Sequence, residues 1–184
     1  MRNRVAIIAA AVAAVLAVFI VLLATSETGR TGAANFAIVG QVAPPVSGPT
    51  VGGGEFNLFD ERGDWVVVNF FASWCVECRI EHPELFEFNE RHQDDGVQLV
   101  SVMFNDTEER AIEFFDELGG DWPTLVQGTG RFAIDYSVTA VPETVLISPS
   151  GRVVRKWLGA SLVSADSLDA AISSFENPEP QSGT

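Results

Sequence analysis

Two predominantly apolar runs limit what this chain can fold into: WVVVNFF at 65–71, interrupted only by Asn69, and VQLVSVMF at 97–104, interrupted by Gln98 and Ser101. A strand with one wet face alternates apolar and polar residues, whereas a near-continuous apolar run rich in β-branched residues is a strand buried on both faces. Residues from Cys75 to about Arg91 read as the helix between them. A second helix is expected over Glu108–Leu118, with Ala111, Ile112, Phe115 and Leu118 on its inner stripe. Arg131–Tyr136 reads as a short helix. Two strands, Glu143–Ile147 and Arg152–Trp157, are joined by the tight turn SPSG. A last helix over 165–176 turns Leu168, Ala171, Ile172 and Phe175 inward, with Ser164 as its N-cap. Strand–helix–strand–helix followed by hairpin–helix implies an α/β domain with a central mixed sheet and helices on both faces.

The ends read differently. Arg2 and Arg4 precede an uncharged, almost wholly apolar run from Val5 to Ala24. Some twenty helical residues span about 30 Å, the hydrocarbon thickness of a bilayer. Residues 1–26 are therefore expected to be a transmembrane anchor, with the arginines kept in the cytoplasm and the rest exported. A cleaved signal peptide ending near Ala24-Thr25-Ser26 is the alternative, and it too exports the domain. Residues 27–40 read as a linker, 41–176 as the folded domain and 177–184 as a disordered tail. The Pro- and Gly-rich stretch QVAPPVSGPTVGGGEF opens the domain irregularly, with room for a short hairpin. Arg62-Gly63-Asp64 reads as a turn, not an adhesion motif. A net charge of −14 argues against nucleic-acid binding, which needs a basic face.

The chain has two cysteines, Cys75 and Cys78, in NFFASWCVECRIEHPEL. Together with His82 and His92 they form a two-Cys, two-His set on paper. Two histidines ten residues apart on one helix are separated by roughly 15 Å and cannot close a zinc tetrahedron, so no metal is expected. A disulfide between the two cysteines closes so small a loop that it adds little as a staple. Exchange chemistry fits better. At a helix start, unpaired N–H groups and the helix dipole favour a thiolate on Cys75. Cys78, one turn on, is close enough to bond with it. Trp74 would shield one flank.

This segment resembles the active site of the membrane-anchored, extracytoplasmic thioredoxin-like proteins of the TlpA, ResA and CcmG (DsbE) type. Pro83 stands where that fold kinks its active-site helix. AVPETVLISPSGRVVRKWLG resembles the family's cis-proline segment and following hairpin, and Val97–Gly130 resembles its central insertion. VGQVAPPV matches the N-terminal extension more loosely. The resemblance implies an exposed nucleophile at Cys75 and a resolving thiol at Cys78. It also implies a cis bond before Pro142, facing the cysteines, and backbone hydrogen bonds from Val141 to a bound peptide. Glu81, and less directly Glu143, match acids the family places near the redox pair to tune it. Asn69 matches the extracytoplasmic reductases, where cytoplasmic thioredoxins carry a buried acid.

The resemblance further implies reduction of apocytochrome c cysteines, with electrons from a CcdA- or DsbD-like membrane thiol transporter. It implies no cofactor beyond the cysteine pair. Val76 and Glu77 stand between the cysteines, where the family usually carries a proline. Anions at Glu77 and Glu81 disfavour a thiolate, partly offset by Arg79, and a less stabilised thiolate makes a stronger reductant. Competing readings are an oxidase or isomerase of exported proteins and a non-catalytic thiol-binding module. A peroxiredoxin-type peroxidase fails on Ala72, where a threonine is required.

Overall fold

A computed structural model describes residues 12, 14–19, 37–93, 95–126 and 130–177. The chain divides into two units, residues 1–34 and 35–184. In the first, Val12 and residues 14–19 are helical and exposed. The rest of the expected anchor (1–26), most of the linker (27–40) and the tail beyond Asn177 lie outside the described residues. No helix among the described residues is long and apolar enough to cross a membrane.

The second unit is built on a five-stranded sheet. A short hairpin, β1 (Ser47–Pro49) and β2 (Glu55–Asn57), precedes it. The sheet comprises β3 (Trp65–Phe71), β4 (Val97–Met103), β5 (Thr124–Leu125), β6 (Glu143–Ile147) and β7 (Val153–Leu158). Its order is β5-β4-β3-β6-β7. β4 runs parallel to β3 and β5 to β4, while β6 and β7 are antiparallel to their neighbours. Every residue of β3 is buried, as its almost wholly apolar run leads one to expect.

The helices are α1 (Val76–Arg91), α2 (Glu108–Leu118), α3 (Arg131–Asp135) and α4 (Ala165–Glu176). Trp65 and Val67 of β3 pack with Leu85 and Phe88 of α1 and Leu168, Ala171 and Ile172 of α4. Val66, Val68 and Phe70 face the other way, against Val46, Phe56 and Tyr136, so the hairpin and the α3 region cover that face. Helices thus lie on both faces, as expected.

Local signals place most ends. Ser164 caps α4 through a capping box with Ser167. Arg62 of the Arg-Gly-Asp turn donates to the Ser150 carbonyl, 2.7 Å away, and so braces the β6–β7 turn. In that turn Gly151 has φ 75°, and an added Cβ would run into the Arg62 guanidinium. Two packing expectations need correction. α2 buries Ala111 and Phe114, not Ile112, which is exposed. The helix is rolled because Phe114 stacks against Phe71 (5.3 Å) and His82 (4.9 Å). Phe175 of α4 is half exposed, lying against Trp65 at the rim rather than in the core.

Candidate active site

β3 ends at Phe71 and α1 begins at Val76, so Cys75 is the N-cap. Its backbone is extended, and its Sγ accepts the Cys78 amide N–H at 3.1 Å. An N-cap acceptor satisfies one of the orphan donors of a helix start; here that acceptor is the sulfur. Both thiols are free. The exposed nucleophile expected at position 75 is mostly covered: Cys75 is 7% exposed and Cys78 3%. Cys75 packs in a cluster with Phe71, Ala72, Met103 and Phe114, with Val141 against its edge. Its Sγ lies 3.5 Å from the Val141 carbonyl oxygen. The Val141–Pro142 bond is cis and faces the thiols, as expected.

Behind Cys78 the inner stripe of α1 turns polar. Glu81 and His82 are buried on the same side as Leu85 and Phe88. Glu81 is 1% exposed. Asn69 Nδ2 donates to its Oε2 at 2.9 Å, and Thr144 Oγ1 donates to its Oε1 at 3.2 Å. Asn69 also donates to Thr144, at 3.0 Å. Sheet register makes this trio, because Asn69 of β3 pairs directly with Thr144 of β6. Burial pushes the Glu81 carboxyl up to about 7, and Glu77 adds to the rise, while the bonds from Asn69 and Thr144 oppose it. Burial likewise pushes the Cys78 thiol far above its ordinary value, and the Cys75 sulfur and the Glu81 charge push the same way. His82 donates from Nε2 to the Gly119 carbonyl at 2.8 Å among Phe114, Phe115 and Trp122. Burial lowers its pKa, against the hydrogen bond to Gly119.

Glu143 follows the cis-proline but lies on the face of β6 away from Glu81. Side chains alternate along a strand, so Thr144 points toward Glu81 and Glu143 toward the opposite face of β6. There its Oε2 lies 2.7 Å from Lys156 Nζ, and both side chains are almost wholly buried. Its Oε1 accepts from Thr139 N (2.9 Å), Thr139 Oγ1 (3.1 Å) and Ala140 N (3.2 Å). Glu77 is exposed. Trp74 is half exposed, and its indole donates to the Asn105 carbonyl at 3.1 Å. The neighbouring Ser73 N–H donates to Asp106 Oδ2 at 2.6 Å.

Sequence reasoning missed Thr144, Lys156 and the Asn105-Asp106 tether. The first two carried a usable signal, since a threonine and a lysine inside strands next to apolar neighbours each need a polar partner. Among the described residues, no group of three His, Cys, Asp or Glu side chains is placed to hold a metal. The chemistry on offer is exchange: the Cys75 sulfur at a helix start, a resolving thiol one turn on, and a half-buried backbone carbonyl beside them.

Known proteins agree with this geometry. Residues 39–156 match the model of the AhpC/TSA family. A thiol:disulfide interchange protein DsbE homolog of Paracoccus denitrificans is 42% identical over 127 residues, 67% of this chain and 68% of that protein. The thiol:disulfide interchange protein HelX of Rhodobacter capsulatus is 34% identical over 67% of this chain and 69% of its own length. A crystal structure of a thioredoxin-family thiol:disulfide interchange protein from Chlorobium tepidum superposes with a TM-score of 0.65 at 26% identity, covering 71% of this chain and 92% of that one. With a CxxC pair at a helix start, a cis-proline beside it and a mixed five-stranded sheet beneath, the chain belongs to the AhpC/TSA family and, within it, to the thioredoxin-like thiol:disulfide oxidoreductases of the DsbE, HelX and ResA type.

Proposed function

We propose that this oxidoreductase works outside the cytoplasm, tethered by its N-terminal segment, as a reductant of the paired cysteines of apocytochrome c. In the reaction the Cys75 thiolate attacks one sulfur of the substrate disulfide and expels the other as a thiolate. Cys78 gives up its proton and attacks the Cys75 sulfur. That step releases the second substrate thiolate and leaves the Cys75–Cys78 disulfide. Two electrons pass to the substrate, whose two thiolates take up protons. A CcdA- or DsbD-like membrane transporter returns two electrons through its own dithiol. The cysteine pair is the only cofactor the cycle needs.

The observation that carries the direction of flow is the surroundings of Cys78. A strong oxidant stabilises its reduced form through favoured thiolates. Here the second thiol is buried, its thiolate is disfavoured, and a buried carboxylate stands behind it. The reduced form gains little, so the pair gives electrons away readily. The exported location is supported by the apolar run from Val5 to Ala24 behind two arginines.

Equilibration with glutathione tests the direction. A potential near or above about −150 mV would mark an oxidant and overturn the reading. Cys78→Ser should trap mixed disulfides through Cys75, and their capture on an apocytochrome with a CxxC site is the expected result. Captured exported proteins lacking such a site would instead support the oxidase or isomerase reading. The absence of any adduct would point to a non-catalytic binder.

A further inference from the structure

We propose that Lys156 is a positioning residue for polypeptide substrates, acting through an ion pair with Glu143 that holds the Val141 backbone in place beside Cys75. The inference rests on thiol–disulfide exchange at Cys75 and not on which exported protein is reduced.

Lys156 stands on β7 and is 4% exposed. Among the described residues its ammonium makes three polar contacts, all within residues 136–143. Its ammonium lies 2.7 Å from Glu143 Oε2 and donates to the Tyr136 and Ser137 carbonyls, each at 2.9 Å. Glu143 passes the restraint on, since its other oxygen takes the amide N–H groups of Thr139 and Ala140. The next residue, Val141, presents the carbonyl 3.5 Å from Cys75 Sγ. One buried cation thus fixes both ends of the segment that leads into the site.

The backbone shows the same restraint independently. Ser137 has φ 52°, a left-handed conformation that a non-glycine residue adopts at a cost and keeps only where its surroundings impose it. Its carbonyl is one of the two that Lys156 binds. A β7 residue with an apolar side chain would leave Glu143 charged and unpaired, and the segment free to relax. Among the described residues Lys156 bonds Glu143, Tyr136 and Ser137 and neither thiol, so its effect falls on how a bound peptide is held.

The test compares two disulfides that differ in their need for the Val141 backbone. One is a synthetic peptide with an intramolecular CxxC disulfide, which must lie along the segment. The other is a small chromogenic aryl disulfide, which needs only the Cys75 sulfur. In Lys156→Met the ratio of the peptide rate constant to the aryl rate constant should fall by on the order of ten-fold or more, because small misplacements of a binding group cost that much. The loss should lie in KM. The equilibrium constant with glutathione should stay within about two-fold. If Lys156→Met does not fold, Glu143→Gln/Lys156→Met removes both charges, and the same ratio is read on it. A ratio within about two-fold of wild type, whether both rates hold or both drop, overturns the proposal. A wild-type chain inert toward both disulfides would instead overturn the exchange reading itself.

Discussion

Strand β6 separates two buried carboxylates that each accept a threonine hydroxyl but are otherwise held in different ways. On one face Glu81 is held by an amide and a hydroxyl, Asn69 and Thr144, and among the described residues no cation is paired with it. On the other, Glu143 is held by an ammonium, two backbone N–H groups and the Thr139 hydroxyl. A desolvated carboxylate has two ways out: take a proton, or take a counter-ion. Glu81 takes the first course and is pushed up to about 7. Glu143 takes the second. The difference sorts their functions. A carboxyl that changes charge near neutrality can sense and answer the thiol beside it, whereas one locked to Lys156 is a fixed part of the frame.

The largest effect should come from breaking the ion pair. Lys156→Met leaves an uncompensated buried charge and should cost about 3–5 kcal/mol in urea unfolding at neutral pH. Glu143→Gln/Lys156→Met should recover most of that loss, since no unpaired buried charge remains. If the single variant loses less than about 1 kcal/mol, the two carboxylates are not as different as their partners make them.

The other face gives the opposite sign. Glu81 has a folded pKa raised to about 7 from the usual 4.5. The native state therefore holds this proton more tightly than the unfolded chain. The stability that the protonated carboxyl contributes is complete below about pH 4.5 and is lost as pH rises through about 7. Glu81→Gln mimics the protonated acid, its oxygen toward Asn69 and its amide toward Thr144. It should be more stable than wild type by about 3 kcal/mol at pH 8, with the difference vanishing near pH 4. A variant that is destabilised equally at both pH values would show Glu81 to be held as Glu143 is.

How far all this could be read from sequence follows from the kind of signal involved. The strands 65–71 and 97–103 announced themselves because two-sided burial leaves a predominantly apolar run, 143–147 because a tight turn follows it, and α4 because Ser164 and a 3.6-residue period agree. The thiols and the proline were legible as a motif. Side-chain direction within the site was not. Glu143 adjoins Pro142, yet the strand pleat carries its carboxylate away from Glu81, and only the pairing of Asn69 with Thr144 fixes which face is which. The inner stripe of α1 was hidden for a related reason, since Glu81 and His82 occupy positions that a purely apolar pattern assigns to water. α2 was misread by one step of the helix because Ile112 and Phe114 are equally apolar; aromatic stacking on Phe71 and His82 decided between them.

A third carboxylate setting lies at the surface and should show the smallest effect. Asp169 of α4 meets His92 Nε2 at 2.6 Å, and Asp95 meets Nδ1 at 2.8 Å, joining the end of α1 to α4. Burial works against charge on this imidazole, but the two aspartates outweigh it and its pKa is raised. The sign follows from that direction. The contribution is complete below the unfolded value of 6.5 and is lost as pH climbs through the folded one. Wild type should therefore exceed His92→Gln in stability at pH 5 and lose that margin by pH 9. Water screens a half-exposed cluster, so the margin should stay below about 1 kcal/mol. Added salt should shrink it further, while leaving the Glu81→Gln difference nearly intact. Unfolding curves at low and high salt would separate the two cases. Equal salt sensitivity at both positions would mean that Glu81 is reached by solvent, and its raised pKa would then need a cause other than burial.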